Sequence, residues 1–433
     1  MKDNWLTIEK KENCVILTKC SWDAMGVIVI PEGVTHIGDS AFRGCLDVTS
    51  VTIPKSVIDI GERSFSCCHL EAVKVEDENT VYDSRENCNA IIESKTNTLL
   101  VSSMNTIIPN GVAAIGDDAF SCIDVTSIVI PDSVVVIGKE AFKLSGLTSI
   151  TIPHSVTAIG KGAFSFCRNL ETIQVEDGNE VYDSRNNCNA IIESKTNTLL
   201  FGCVNTRIPD SVKNIADRAF SGFFSLFDVT IPHSVTSIGR RAFWCQIQGT
   251  IHVETGNKVY DSRENCNAII ESKTNILLCG GLNTVIPDSV TAIGDYAFAL
   301  CEYLETITIP GSVTRIGNHA FSGCRSLISV TIPSSVTYID KDAFSDCHSL
   351  GTIKVEEDNK VYDSRGNCNA IIDSKTNTLL VGCKNTIIPD DVTIIAEGAF
   401  ALVDLKTIII PQNVTSIDKN AFACCRDLKT IKV

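Results

Sequence analysis

The amino-acid sequence predicts a strand-rich α/β repeat solenoid, and two regularities carry this prediction. All 12 prolines of the 433-residue chain occupy the second position of one loosely kept pattern, I-P-x-x-V-T-x-I-G-x-x-A-F-x-x-C, from Pro31 to Pro411. A phenylalanine follows each proline eleven residues later, from Phe42 to Phe422. Within a group of repeats the prolines are 22 or 23 residues apart. A period this short is typical of stacked units that share one continuous core.

Residues 1–26 precede the repeats and are predicted to form a capping hairpin. The segments WLTIEKK and NCVILTKC have the composition of two short strands joined by a polar turn. A solenoid needs such a cover because its first turn otherwise exposes apolar surface. We therefore expect a capping hairpin over 1–26 and a single solenoid over 27–433.

Each short unit is predicted to contain a half-buried strand, a second extended segment and a short helical turn. In LTSITIP, at 147–153, Ile150 and Ile152 alternate with polar residues such as Thr151, which is the period-two pattern of a strand with one buried face. The proline ends the strand because it has no N–H to offer to a ladder. The later segment KGAFSFC is the predicted helical turn, and its apolar residues close the core.

Four longer units interrupt the short ones. At these places the step between prolines lengthens to 55 or 56 residues, and the added segment is nearly identical in all four copies. In the first copy, VYDSRENCNAIIESKTNTLL at 81–100, two apolar segments flank ESKTN, which predicts a β-hairpin. The sequence thus predicts 12 short-frame turns and four inserted β-hairpin units, near 75–108, 175–208, 253–286 and 355–388.

The repeat resembles the leucine-rich repeat, with LxxIxI in place of its strand. It resembles more closely the BspA-like bacterial surface-antigen type, the fifth class of that family, over residues 28–433. The resemblance implies a curved solenoid, a right-handed superhelix of parallel strands with short helical turns. It also implies adhesion or protein binding, usually at the cell surface, and it supplies no catalytic residues.

Charge and motif content argue against several function classes. The net charge is −15 and there is no basic run, so a nucleic-acid partner is not expected. No apolar run reaches the length of a membrane span, and no GxSxG, P-loop or HExxH motif occurs. We therefore expect no enzymatic activity, no cofactor and no metal site. The start, MKDNWLTIEKK, lacks an apolar leader region, which fits a cytoplasmic protein or a secreted one whose leader lies outside this chain.

The 20 cysteines follow the repeat frame. Many stand three residues after the repeat phenylalanine, where Ile123, Ser145, Phe223 and Val403 replace cysteine in other units. This exchange with small or apolar residues predicts buried thiols, since free cysteine packs as a small hydrophobe. Disulfides stay open as an alternative, because stacked turns bring Cα atoms to within about 4.4–6.8 Å, the range of a disulfide.

The long units provide the first candidate binding site. Their copies are nearly identical even at positions expected to be solvated, and four of the seven tyrosines fall in them. Tyrosine and arginine dominate the energetics of many interfaces. The alternative, which we favour, is recent duplication, with the tyrosine packed on the hairpin and a local Asp–Arg pair. The candidate residues are Tyr82, Asp83, Arg85, Tyr182, Asp183, Arg185, Tyr260, Asp261, Arg263, Tyr362, Asp363 and Arg365.

The polar positions of the predicted strands provide the second candidate. On stacked parallel strands they would form ladders across the concave face, able to hydrogen-bond a protein or a glycan. The alternative is that β-branched threonine simply favours strands. The candidate residues lie two or four positions before a repeat proline and are Thr151, Thr308, Thr331, Asn105, Asn205, Asn283 and Asn385.

These features together predict a non-enzymatic, monomeric binding protein. Its concave strand face and projecting hairpins would contact a protein, or a glycan, on a host or neighbouring cell. Repeated weak contacts on one scaffold raise avidity when a partner can span them. The family resemblance implies a secreted or cell-surface adhesion protein. An intracellular leucine-rich-repeat scaffold and a glycan-binding module are the alternatives.

Overall fold

The computed structural model describes residues 5–223 and 226–433, and their contacts divide into two compact units. The first unit contains 5–209 and 215–223, and the second contains 210–214 and 226–433. In each unit, short parallel strands from successive repeats stack on one another. The predicted strand-rich repeat solenoid is therefore confirmed.

An antiparallel hairpin occupies the described part of the predicted cap. Its strands are Leu6–Lys11 and Cys14–Cys20. The second strand then pairs in parallel with His36–Ile37, through Ile16 opposite His36. The hairpin therefore starts the ladder on which the first repeats are built.

One set of strands ends at or near the repeat proline, or at the equivalent position of a turn that has no proline. These strands alternate buried and outward residues, as in Ser329–Ile332, where Val330 and Ile332 are buried and Thr331 is exposed. Each pairs in parallel and in register with an equivalent strand of a neighbouring turn. The members are Gly26–Val29, Val48–Ile53, Ala72–Val75, Ser149–Ile152, Thr172–Val175, Val229–Ile231, Ile251–Val253, Ser329–Ile332, Thr352–Val355, Thr407–Ile409 and Thr430–Lys432.

A second set consists of two-residue strands just before the turn glycine, or the residue that replaces it. Each ends in an isoleucine, and most of these isoleucines are buried. The members are His36–Ile37, Asp59–Ile60, Ala114–Ile115, Val136–Ile137, Ala158–Ile159, Asn214–Ile215, Ser237–Ile238, Ala292–Ile293, Arg315–Ile316, Tyr338–Ile339, Ile394–Ile395 and Ser416–Ile417.

The predicted hairpins form, but they extend the ladder instead of projecting from it. In the first copy Ala90–Glu93 pairs antiparallel with Thr98–Ser102, which then pairs in parallel with Ala114–Ile115. Ile91 and Ile92 are consecutive and both fully buried, so this hairpin strand is covered on both faces. Burying this surface holds each hairpin within the stack.

Each long unit contains three strands and one 3-10 turn. The strands are Tyr82–Asp83, Ala90–Glu93, Thr98–Ser102, Tyr182–Asp183, Ala190–Glu193, Thr198–Gly202, Tyr260–Asp261, Ala268–Glu271, Ile276–Gly280, Tyr362–Asp363, Ala370–Asp373 and Thr378–Gly382. The 3-10 turns are Arg85–Asn87, Arg185–Asn187, Arg263–Asn265 and Arg365–Asn367.

The segment predicted as a short helical turn is compact but not helical. In the first repeat the Ala41 N–H donates to the Gly38 carbonyl at 3.2 Å, and the Cys45 N–H donates to the Phe42 carbonyl at 3.0 Å. Ser40, inside the first of these two turns, has φ 56°. A residue in the left-handed region interrupts a right-handed helix, so successive tight turns form in its place.

The repeat phenylalanines form stacked columns inside the core. Phe298, Phe321 and Phe344 stack with ring centroids 5.1 and 5.2 Å apart and nearly parallel planes. In the first unit Phe120 and Phe142 stack at 4.9 Å. The columns follow the groups of short turns between long units, as the in-frame spacing predicts.

Fifteen of the 20 cysteines are buried, which agrees with the predicted packing role. The Cys347 thiol donates to the Phe321 carbonyl of the preceding turn at 3.2 Å. Burial raises the pKa of Cys301 and of Cys347 to about 12 each. Such thiols are unreactive at neutral pH because very little thiolate forms.

Candidate interaction surfaces

The tyrosines of the four long units lie in the core. Each is only 4–6% exposed. The hydroxyl of Tyr182 accepts a hydrogen bond from the Ile159 N–H at 3.1 Å, and that of Tyr362 accepts one from the Ile339 N–H at 3.1 Å. These contacts fasten the hairpin to the two-residue strand of the preceding turn. The rings of Tyr82, Tyr182, Tyr260 and Tyr362 are therefore not part of the exposed surface.

The aspartate and arginine of each long unit form a hydrogen-bonded ion pair, which we call the Asp–Arg lock. Arg85 Nε and Nη2 donate to the two carboxylate oxygens of Asp83 at 2.7 and 2.6 Å, a bidentate geometry. Arg85 Nη1 also donates to Asn97 Oδ1 at 3.0 Å, and Ser94 Oγ donates to Asp83 at 2.6 Å. The lock therefore ties the 3-10 turn to the hairpin loop. It recurs as Asp183–Arg185, Asp261–Arg263 and Asp363–Arg365.

Two opposing effects set the charge state of the lock. Burial disfavours the ionised carboxylate, but hydrogen bonds from Arg85 and Ser94 outweigh it, so the pKa of Asp83 lies below its ordinary value. The pKa values of Asp183, Asp261 and Asp363 are lowered in the same way. These groups hold the long unit together, and a role for them in contacting a partner stays a prediction.

The predicted threonines lie on the outward side of the strands. Thr151, Thr308 and Thr331 are exposed. Thr151 stands opposite Gln174 on the adjacent strand, and Thr331 stands opposite Lys354. We call the residues two and four positions before each repeat proline, with their paired positions, the outward strand face of a unit.

The four predicted asparagines are also exposed, and three make a structural contact. The side-chain amide of Asn105 donates to the Glu71 carbonyl at 3.0 Å, and Asn385 donates to the Gly351 carbonyl at 3.1 Å. Asn205 makes the equivalent bond at 3.2 Å. These amides fasten the chain after the long unit to the strand before it. Asn283 holds the equivalent sequence position.

The apolar members of the outward strand face were missed by sequence reasoning. At the position two before the proline, six turns expose valine or isoleucine with 61–83% of the side chain accessible. These residues are Val29, Ile107, Val129, Val285, Ile387 and Ile409. The sequence contained a signal for this surface, because the position two before the repeat proline is mostly valine, isoleucine or threonine. In the first unit Val29 pairs with Thr52, and Thr52 pairs with Lys74 on the next strand.

An asparagine at the start of each long unit, buried in the fourth copy and half-buried in the other three, was also missed. Asn359 donates from Nδ2 to the carbonyls of Pro333 and Val336 at 2.9 and 3.0 Å. Its Oδ1 accepts from the N–H groups of Val361 and Tyr362 at 2.9 and 2.8 Å. Asn79, Asn179 and Asn257 make the same four bonds. The residue satisfies four backbone groups where the chain changes from a short to a long unit.

Two clusters of metal-ligating side chains lie at corresponding surface positions. They are Asp132–His154–Glu176 and Asp210–His233–Glu254, with one ligand atom of each residue within 4.8 Å of the others. The glutamates already have a structural contact, since Glu176 accepts from the His154 backbone N–H at 3.1 Å. Glu356 makes the same contact with Ser334, where no histidine is present. These are the described residues that could supply ligands to a metal ion.

Stacked parallel strands with a repeating apolar frame define the class of this protein, a leucine-rich-repeat solenoid. The family model described as BspA type leucine rich repeat region matches residues 20–98, 92–198, 192–285, 277–378 and 370–433. The chain therefore belongs to the BspA-type leucine-rich repeat family, as its repeat pattern indicated.

Several solved structures are similar to this chain at low identity. A leucine-rich cell surface protein from Faecalibacterium prausnitzii is 23% identical, with all of this chain and 94% of that chain covered and a TM-score of 0.40. A leucine-rich repeat protein from Eubacterium ventriosum is 20% identical, with 81% and 94% covered and a TM-score of 0.39. The pneumococcal vaccine antigen PcpA is 14% identical, with 100% and 93% covered and a TM-score of 0.37.

A comparison with curated proteins gives no match. The described residues include no helix with the length and hydropathy needed to cross a bilayer.

Proposed function

We propose that this protein is a non-enzymatic, monomeric cell-surface or secreted protein that binds another protein through the outward strand face. Its family of bacterial surface leucine-rich repeat proteins suggests a protein-binding role. The proposal adds the surface that makes the contact and the location of the partner on a host or neighbouring cell. The observation that carries it is the column of exposed β-branched side chains two positions before the repeat prolines.

The physical argument rests on the stiffness of these side chains. Valine, isoleucine and threonine have restricted χ1 angles, so they lose little rotamer freedom when a partner covers them. Burial of their methyl groups contributes about 25 cal/mol for each Å² of apolar surface removed from water. The threonine hydroxyls satisfy polar groups of the partner. Because the position recurs in successive turns, several modest contacts act together.

The same geometry favours a protein over a glycan as the partner. A glycan needs a dense set of polar groups, and three of the four candidate asparagine amides already bond to the backbone. The exposed valines and isoleucines offer apolar surface in their place. A glycan ligand is therefore treated as an outcome of the test.

The test uses the full chain, labelled with a fluorophore, on intact candidate host cells. One variant carries Thr308→Glu, Thr331→Glu and Ile387→Glu, which places three charges on the outward strand face. The matched control carries Thr291→Glu, Thr314→Glu and Thr337→Glu, at exposed threonines outside this face. We expect the first variant to lose cell binding and the control to keep it.

Enzymatic treatment of the cells identifies the partner class. Protease treatment should abolish binding, whereas glycosidase treatment should leave it intact. Equal binding by the two triple variants would show that the outward strand face is not the contact surface. Surface location is tested on the producing bacterium, where the protein should be labelled by antibody and removed by external protease without lysis.

A further inference from the structure

A cavity of about 550 Å³ lies beside the third long unit, within the second compact unit. We call it the third-hairpin cavity. The turn before the long unit, around Trp244, and the turn after it, around Tyr296, contribute to its lining. The strand Ile276–Gly280 supplies apolar wall residues. A comparable cavity of about 500 Å³ beside the first long unit allows a direct comparison within one chain.

Four residues that line the third-hairpin cavity depart from the repeat pattern. They are Trp244, Ile276, Tyr296 and Arg315. Around the other long units, the position of Trp244 is taken by Ser66, Ser165 and Ser345, and that of Ile276 by Thr98, Thr198 and Thr378. The position of Tyr296 is taken by Asp118, Arg218 and Gly398, and that of Arg315 by Val136, Ser237 and Ser416. Ile276 is the single difference between the third and first copies over 20 residues. The fold does not require these changes, because the other units form without them.

The departures bring aromatic rings and guanidinium groups together. Arg241 Cζ lies 4.0 Å from the ring centroid of Tyr296 and 5.2 Å from that of Trp244, both within cation–π range. Arg241 Nη2 donates to the Tyr296 hydroxyl, which donates to Asn318 Oδ1 at 3.1 Å. Arg241 Nε is buried and has no hydrogen-bond partner among the described residues. The guanidinium is thus held in place against the two rings.

The charge of the cavity is opposite to that of the chain. Arg240, Arg241 and Arg315 line it with one carboxylate, Asp295, in a protein of net charge −15. The comparable cavity beside the first long unit is lined by three acidic residues, Glu62, Asp117 and Asp118, and two basic ones, Arg63 and Lys139. The positive charge therefore belongs to this cavity and is not a general property of the repeat.

We infer that the third-hairpin cavity binds a small organic anion with a flat apolar body, such as an aromatic carboxylate or sulfonate. Guanidinium groups recognise carboxylates and tetrahedral oxyanions through paired N–H donors. Trp244 and the apolar wall around Ile276 take the flat body, while Tyr296 holds Arg241 in place. The volume lies within the range of about 300–1,000 Å³ typical of small-molecule sites. The inference is independent of binding through the outward strand face.

The probe is anilinonaphthalene sulfonate, an aromatic sulfonate whose fluorescence rises in apolar surroundings, titrated into the full chain. We expect saturable binding at one site. Arg315→Gln should raise the Kd about tenfold, the usual effect of losing one charged hydrogen bond. Arg315 is exposed, so this variant should fold normally. Ile276→Thr, which restores the residue of the other copies, should also weaken binding, whereas Thr98→Ile in the first copy should leave it unchanged.

Two further ligands test the stated chemistry. Phenylnaphthylamine, which has the apolar body without the sulfonate, should bind at least about tenfold more weakly. Sodium sulfate, compared with sodium chloride at equal ionic strength, should not displace the probe, because sulfate lacks the flat body. The inference is overturned if Arg315→Gln binds the probe as tightly as the parent chain, if the neutral amine binds as tightly as the sulfonate, or if sulfate displaces the probe.

Discussion

The stacked phenylalanine column allows the packing argument to be tested at one residue. Phe321 is fully buried and stacks on Phe298 at 5.1 Å and on Phe344 at 5.2 Å. Replacing a buried phenylalanine by alanine costs about 3–5 kcal/mol, because apolar contacts are lost and a cavity remains. Each aromatic stack adds about 0.5–1.5 kcal/mol beyond its buried area. We expect Phe321→Ala to lower the free energy of unfolding by about 4–5 kcal/mol, near the top of the first range.

The matched control is the same substitution at the last repeat phenylalanine. Phe422 is half-buried and stacks on Phe400 at 5.1 Å. With less buried area and one recorded stack, Phe422→Ala should cost about 1–2 kcal/mol. The assay is urea unfolding followed by circular dichroism, with equal m-values required before the midpoints are compared. A loss below about 1 kcal/mol for Phe321→Ala, or an equal loss for the two variants, would refute the stacked-core reasoning.

Four further predictions concern other parts of the core. Asn359→Ala should cost about 2–4 kcal/mol in urea unfolding, because four backbone groups lose their partner. Gly382→Ala should cost about 1–3 kcal/mol, because a Cβ there would lie 2.1 Å from the Phe400 ring. Fifteen of the 20 thiols should react with Ellman's reagent only after unfolding. Folding lowers the pKa of the Asp363 carboxyl, so its ionised form should stabilise the folded protein above about pH 4. This stabilisation should be lost as the pH falls further and the folded carboxyl is protonated. In Asp363→Asn, the free energy of unfolding should therefore depend less on pH in this range.

Each of these predictions has a result that would contradict it. An Asn359→Ala midpoint equal to that of Asn110→Ala, at an exposed turn, would show that the buried amide contributes nothing. An unchanged midpoint for Gly382→Ala would show that the phenylalanine ring moves freely. Rapid reaction of most thiols in the folded protein would contradict their burial. An Asp363→Asn protein with the parent's loss of stability in acid would place the titrating group elsewhere.

The long units show where sequence reasoning reached its limit. Their copies were recognisable as hairpins from two apolar segments around a polar turn. The sequence did not show that these strands enter the ladder, because Ile91 and Ile92 read as one apolar run whether the hairpin projects or is buried. Near-identity of the copies suggested a binding patch, although a packed tyrosine and a local Asp–Arg pair were the favoured interpretation. The hydrogen bonds of Tyr182 and Arg85 show that these two residues hold their long units in place.

The repeat frame alone determined the fold class, the groups of short turns and the four hairpins, because a fixed period forces equivalent residues to stack. It also determined the burial of most cysteines, since a position that accepts cysteine, isoleucine or phenylalanine must face the core. Only the tertiary structure showed which residues, at equivalent positions of different repeats, lie next to each other in space. Trp244, Ile276 and Arg315 are far apart in sequence and appear unrelated there. They line one cavity because the stack brings the turn around Trp244 into contact with the turn around Tyr296, and the hairpin strand that carries Ile276 lies beside both.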